Sequence, residues 1–177
     1  MDLLPVFTER LILRRLHEKD IHALIAYRSD REVARYQNWT EITETEARAL
    51  VKAKRRTPFA LPGVWVQIAI ALRETDALVG DIGVWVNTDG QSAEIGFTLS
   101  AGYQGKGFAT EAVRKVIELL FDETAVKLVE AITDTRNRAS IALLERLGMK
   151  LEKTEEAWFK GELCHEHRFV ITREGFS

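Results

Sequence analysis

Glu94-Ile95-Gly96-Phe97-Thr98-Leu99, followed after three residues by Tyr103-Gln104-Gly105-Lys106-Gly107-Phe108-Ala109-Thr110, decides how the rest of the chain is read. The first stretch has the character of a strand. The second opens a helix whose apolar positions Ala112, Val113, Val116, Ile117 and Leu120 recur at helical spacing. Between them Gly105 and Gly107 allow backbone N–H groups to approach a ligand without a Cβ in the way. The helix that follows adds unsatisfied N–H donors and the positive end of its dipole, so the turn has the form of an anion cradle. The dipole contributes only about 0.3–1 kcal/mol. Several N–H bonds must therefore supply most of the affinity, with Lys106 as a mobile cation. A nucleotide P-loop requires a lysine after its last glycine, but Lys106 precedes Gly107. A dinucleotide fingerprint requires a third glycine where Thr110 stands, and it belongs in the first strand–helix unit. What remains is Gln-x-x-Gly-x-Ala at Gln104, Gly107 and Ala109. Taken alone, such a turn is as often a tight connection as a ligand site.

Upstream of this stretch the hydrophobic period is two. Val64, Val66, Ile68, Ile70 and Leu72 alternate along one strand, and Leu78, Ile82, Val84 and Val86 along the next, with Arg73–Ala77 as hairpin connection. Asn87-Thr88-Asp89-Gly90 turns into the strand Ala93–Leu99. The N-terminal third reads as a strand over Glu9–Arg15, a helix from an Asp20 N-cap to Tyr36, and a helix from the Thr43–Glu46 capping box to Arg56. It ends in the loop that holds Pro58 and Pro62. Downstream come a helix at Thr110–Phe121, a strand at Leu128–Thr133, a helix at Ser140–Leu147 stopped by Gly148, and a closing strand at Leu163–Thr172. Three adjacent antiparallel strands feeding a β-α-β-α-β run predict an α+β (mixed α/β) domain, a mixed sheet with helices packed on it.

The whole chain, residues 1–177, is expected to form one domain, and 46% apolar residues exclude disorder. Balanced charges (25 basic, 27 acidic) provide no basic field for nucleic acid. A lone cysteine, Cys164, excludes an internal disulfide and fits a reducing compartment. The charged stretch Met1–Arg15 lacks a signal-peptide core, and no run approaches the roughly 18 apolar residues of a membrane span. A soluble, cytoplasmic protein is expected. Cys164-His165-Glu166-His167 carries metal-capable side chains, but His17 and His22 are too distant in sequence to complete a site, so no metal is expected.

Gln104-Gly105-Lys106-Gly107-Phe108-Ala109 resembles the pyrophosphate-binding motif of the GNAT superfamily of acetyl-CoA-dependent N-acetyltransferases. The resemblance extends to Glu94–Leu99, to Asn137-Arg138-Ala139-Ser140, and to Leu147-Gly148-Met149. The opening Thr8-Glu9-Arg10-Leu11-Ile12-Leu13-Arg14 and the closing Arg168–Glu174 are similar to the RimJ/RimL-like branch, the ribosomal-protein N-acetyltransferases and their relatives. The resemblance touches nearly the whole chain and is most specific over Glu94–Gly148.

This resemblance implies a splayed, mostly antiparallel mixed sheet, with the strand at Glu94–Leu99 parting from that at Leu128–Thr133. Acetyl-CoA would be the co-substrate. Gln104, Gly105, Lys106, Gly107, Phe108, Ala109 and Thr110 would hold its diphosphate, and Phe97, Thr98, Leu99 and Asn137 its pantetheine arm. A backbone N–H near Thr98 or Leu99 would polarise the thioester carbonyl. The acceptor would be an amine, a protein N-terminus or a small molecule, and the branch is compatible with a homodimer. Holding both reactants in line can supply roughly 7–11 kcal/mol, so few catalytic groups are needed.

Glu94 is the implied base, acting through water. An unperturbed carboxyl near 4.3 is a poor match for an amine, so burial or a relay would have to assist. The simpler role for Glu94 is a solvated strand-end carboxylate. Many family members place a tyrosine where this chain has Leu144; the resemblance to the RimJ/RimL-like branch implies Ser140 as the hydroxyl near the site. Asn137 and Ser140 equally suit plain helix capping. Without the tyrosine, a non-catalytic acyl-CoA-binding module is the alternative.

Overall fold

A computed structural model of the chain describes residues 2–177. A short strand β1 (Val6–Phe7) pairs with β2 (Leu11–Arg14), and a single 3-10 turn then leads into α1 (Ile21–Arg28), α2 (Arg31–Ala34) and α3 (Glu44–Lys54). Three strands follow, β3 (Trp65–Leu72), β4 (Leu78–Val86) and β5 (Ser92–Leu99). The chain closes through α4 (Phe108–Glu123), β6 (Leu128–Asp134), α5 (Arg138–Arg146), β7 (Lys150–Phe159) and β8 (Glu162–Thr172). The eight strands form one sheet in the order β1-β2-β3-β4-β5-β6-β8-β7, antiparallel throughout except at β5–β6. The α+β class and the mixed, mostly antiparallel sheet are as the sequence predicts. None of the described helices is long and apolar enough to cross a membrane.

Alternation along the strands divides the core in two. Ile68, Ile82, Ile95 and Val129 face the apolar stripes of α4 and α5, where Val116, Leu120 and Leu144 are fully buried. Ala69 and Leu78 face the opposite layer, packed under Leu24 of α1 and Val51 of α3. The Thr43 capping box forms as expected, with Thr43 accepting from the Glu46 N–H and Glu46 from the Thr43 N–H.

Two local expectations are corrected, and one strand is added. The helix from Asp20 to Tyr36 is broken, because the Asp30 carboxylate accepts from the Glu32 N–H and starts a new helix at Arg31. Asp20 does not cap α1; it is buried and accepts from Arg14 and from the His17 N–H instead. Strand β7 was not anticipated. It is the last strand of the sheet and exposed along almost its whole length, so its sequence carries no apolar alternation.

A buried polar knot ties the helical layer to the sheet. Asp81 of β4, 1% exposed, accepts from the Tyr27 hydroxyl, from Arg28 at 3.0 Å and from Gln67 of β3. Burial and the adjacent Asp81 carboxylate push the Tyr27 phenol well above its ordinary pKa, so it stays a donor. The Arg28 guanidinium also stacks on Trp39 at 4.2 Å, and the Trp39 indole donates to the Arg28 carbonyl. The segment after α2 is thus fastened to the sheet.

Candidate active site

The site begins where two strands stop pairing. The parallel ladder of β5 and β6 covers only Ser92↔Leu128, Ala93↔Val129 and Glu94↔Glu130. Beyond it Ile95–Leu99 stay with β4 and Ala131–Asp134 stay with β8, so the strands part. The gap opens into a cleft of about 600 Å³, lined by both limbs, by the start of α4, by α5 and by the segment after α2.

Backbone orientation selects which groups face the gap. The Phe97 carbonyl accepts from the Gln37 side chain at 3.3 Å, and the Leu99 carbonyl from the Gln104 side chain at 2.9 Å. Both therefore point away from β4. The Thr98 carbonyl points the other way, toward β4, where a methyl group on Gly80 would collide with it. Of the three residues expected to meet the pantetheine arm through their backbones, Phe97 and Leu99 direct carbonyls into the gap, whereas Thr98 lines the cleft with its carbonyl turned to the sheet. A bound amide chain would replace the two glutamine side chains as strand-like partner.

The cradle at the head of α4 has the expected form. Gly105 and Gly107 take left-handed conformations, φ 73° and 81°, and Gly107 is the helix N-cap. The main-chain amides from Gly105 to Thr110 donate to no protein group among the described residues, although Glu111 N–H already bonds the Gly107 carbonyl. A run of unpartnered donors at a helix N-terminus is the chemistry a diphosphate needs. Gln104, Gly105, Gly107, Phe108, Ala109 and Thr110 all line the cleft. Lys106 does not; its ammonium bonds the Gly102 carbonyl at 3.1 Å and lies near the Tyr103 ring. Arg146 of α5 lies beside the cradle instead, donating to the Thr110 hydroxyl at 3.4 Å.

A brace behind the cradle was not visible from sequence. Glu111, in the first turn of α4, accepts from the Thr8 hydroxyl, the Arg10 N–H (2.8 Å) and the Arg10 guanidinium (2.7 Å). Arg10 also donates to the Lys106 carbonyl at 2.9 Å and stacks on Phe108 at 4.2 Å. Burial would raise the Glu111 carboxyl, but the bonds from Thr8 and Arg10 and the Arg10 charge outweigh it and hold its pKa below the usual value. A depressed carboxyl contributes stability in full above its unfolded value of about 4.3, and that contribution is lost as pH falls through the folded pKa. Glu111→Gln is expected to raise the acetyl-CoA KM several-fold. Thermal melts should find it less stable than wild type at pH 7, with the difference narrowing progressively as pH falls below the unfolded carboxyl value of about 4.3; a gap that does not narrow at all on acidification would refute the ion-pair account.

On the other side of the gap, Glu32, Val33, Arg35, Tyr36 and Gln37 face Phe159 and Glu166 of the β7–β8 hairpin. The hairpin turns through Lys160 and Gly161, both left-handed. The Lys160 ammonium reaches across to the carbonyls of Ala34 (2.8 Å) and Trp39 (2.7 Å) and so latches the two walls together. Lys160→Met is expected to raise the acceptor KM about 3–10-fold while acetyl-CoA KM stays within about twofold, because the two charge-assisted hydrogen bonds, roughly 1.5–3 kcal/mol each, hold the walls together and only a fraction of their loss reaches acceptor affinity. Equal changes in both constants would count against the latch.

The site is thus a splayed sheet with a glycine-rich turn of unpartnered amides at its edge and a second wall facing it. The family model described as acetyltransferase (GNAT) domain matches residues 10–150. The chain belongs to the GNAT family. Protein p20 of Bacillus licheniformis, described as an uncharacterized N-acetyltransferase, is 33% identical, with 97% of this chain and 98% of that protein aligned. The crystal structure of a GNAT-family acetyltransferase from Bacillus anthracis superposes with a TM-score of 0.85 at 25% identity, over 97% of this chain and 99% of that one. RimL, a ribosomal L7/L12 α-N-protein acetyltransferase solved with CoA, shares the fold at a TM-score of 0.79 and 16% identity, over 93% and 95% of the two chains.

Within the GNAT frame, the remaining expected residues separate. Asn137 caps α5, its side-chain oxygen accepting from the Ser140 N–H at 3.3 Å, and it also lines the cleft. Ser140 is half-buried on the cleft, and its hydroxyl is not spent on a cap. Glu94 is half-buried at the last paired position before the splay and does not line the cleft. Burial raises its pKa, helped by the Glu130 and Glu166 charges and opposed by Arg168. A fully solvated strand-end carboxylate would show no such shift.

Proposed function

We propose that this GNAT protein transfers the acetyl group of acetyl-CoA to a primary amine by direct attack, in the manner of the RimJ/RimL-like enzymes, with a protein N-terminus as first acceptor class and a small-molecule amine as second. One observation carries the reading: unpartnered amides from Gly105 to Thr110 stand at the mouth of a gap whose near wall offers outward backbone groups at Phe97 and Leu99. Those amides would grip the diphosphate, with Gln104 and Asn137 beside the arm and Arg146 supplying a cation. Phe97 and Leu99 would align the arm along β5, so that the Leu99 N–H is the natural partner for the thioester oxygen. The amine nitrogen attacks the thioester carbon, a C–N bond forms, and the C–S bond breaks with its electron pair leaving on sulfur. The Ser140 hydroxyl, which lines the cleft, would hydrogen-bond that thiolate and pass it a proton taken up in turn from solvent. Glu94, with its raised pKa, takes up the amine proton through an intervening group, since it does not itself reach the cleft.

Acceptor-dependent release of CoA decides the matter. The protein is incubated with acetyl-CoA and a panel of N-terminal peptides, alkylamines and polyamines, and free thiol is followed with time. Turnover with at least one amine is expected. Tight CoA binding with no acceptor-dependent thiol release would favour a non-catalytic acyl-CoA-binding module, to which Leu144 in place of a tyrosine gives room.

A further inference from the structure

Glu94 needs a partner that reaches the acceptor, and the carboxylates on the acceptor side of the gap are not equivalent. Asp134 is held by Arg136 through bonds of 2.9 and 2.8 Å. Glu130 is paired with Arg168, and Glu155 with Lys153 at 2.9 Å. Glu32 stands exposed at the mouth. Glu166, half-buried on β8 directly across from Asp134, has no hydrogen-bond or ion-pair partner among the described residues. It also lines two spaces at once: the main cleft, and a solvent-open groove of about 110 Å³ shared with Glu130, Lys153, Glu155 and Arg168. A space of that size holds roughly three or four waters.

We propose that Glu166 is the group that meets the acceptor's ammonium and first carries its proton, passing it along the groove to solvent and, by way of Glu130, to the neighbouring Glu94. The assignment rests on the acetyl-transfer reading. In the step itself the ammonium N–H bond breaks, the proton moves to a Glu166 carboxylate oxygen, and the neutral amine is left with the lone pair that attacks the thioester. Position supports it: Glu94, Glu130 and Glu166 share the sheet face that turns toward the segment after α2. The charge of Glu166 is one of those felt by Glu94. Arg168 and Lys153 sit on the groove side, Arg35 and Arg136 on the mouth side, and the Cys164 thiol one pleat along the same strand. The cations are engaged by other carboxylates or exposed, which leaves Glu166 free to receive a positive group.

The test is Glu166→Gln, assayed from pH 6.5 to 10 with an alkylamine acceptor of pKa near 10. The expected result is a fall of about 100-fold in kcat at pH 7, the range typical of a lost acid–base group, with acetyl-CoA affinity within twofold. The defect should shrink to under about tenfold near pH 10, where the amine is already neutral in solution. Glu166→Asp, which keeps the carboxylate, should recover at least tenfold over the glutamine variant. Should kcat and its pH profile match wild type, or should only the acceptor KM rise, Glu166 is not the proton carrier. Failure of the wild-type protein to acetylate any amine would instead bring down the acetyl-transfer reading beneath it.

Discussion

Gly107→Trp is expected to weaken CoA binding at least 100-fold while leaving the protein folded. Gly107 sits at φ 81°, and an L-residue held there loses about 1–2 kcal/mol. Its Cβ would also stand 3.3 Å from the Arg10 guanidinium, which a tryptophan must push away from Lys106 and Glu111. Backbone strain and loss of the brace both turn the amides of residues 105 to 110 out of their common aim. Two lost charge-assisted bonds, at roughly 1.5–3 kcal/mol each, already exceed the 2.7 kcal/mol that corresponds to about 100-fold. The fold survives because Gly107 is exposed and far from the buried faces of the sheet. Gly107→Ala, strained but not bulky, should lose about tenfold. Calorimetric titration with CoA measures both, with circular dichroism as the check on folding. Affinity for the tryptophan variant within threefold of wild type would remove the diphosphate from this turn.

Asp81→Ala should destabilise the protein by about 3–5 kcal/mol, the usual cost of leaving one member of a buried ion pair without its partner. For a chain of this length that corresponds to a fall in Tm of roughly 6–20 °C. The size follows from what Asp81 holds. Its removal leaves the Arg28 charge with only the Trp39 face, and the buried Tyr27 hydroxyl and Gln67 amide without an acceptor. A functional consequence is expected as well. Because Arg28 and Trp39 secure the segment that carries Tyr36 and Gln37, the acceptor KM should rise more than the acetyl-CoA KM in the folded fraction. A Tm within 3 °C of wild type would show that the knot is not a keystone of the helical layer.

These two positions differ in how they could be found. Gly107 stands out because a left-handed turn before a helix demands glycine, a local requirement written in neighbouring residues. Asp81 looks like any acidic residue in a strand, and only burial beneath α1 makes it a hub. The same division runs through the active site. Gln104, Gly105, Phe108, Ala109 and Thr110 lie within seven consecutive positions at the start of a helix, so their common place on the cleft was legible. Lys106 was counted with them on charge, but side-chain direction sends it back to Gly102. Gln37, Arg146 and Glu166 come from three distant segments and meet only across the gap, with no motif to announce them. Glu94 is a candidate base by its place at the start of a strand, yet its separation from the cleft became visible only with the strands in register.

Residues adjacent in the chain therefore specified most of the elements and their order, the glycine turn and the family, because backbone geometry and hydrophobic period are short-range properties; the edge strand β7 and the break before α2 escaped them. Folding alone decided where β5 leaves β6, which carbonyls face the gap, and which of several carboxylates keeps a free charge. Those are long-range outcomes: pairing partners, burial and neutralising cations arrive from parts of the chain far apart in sequence, and each is settled by competition among them.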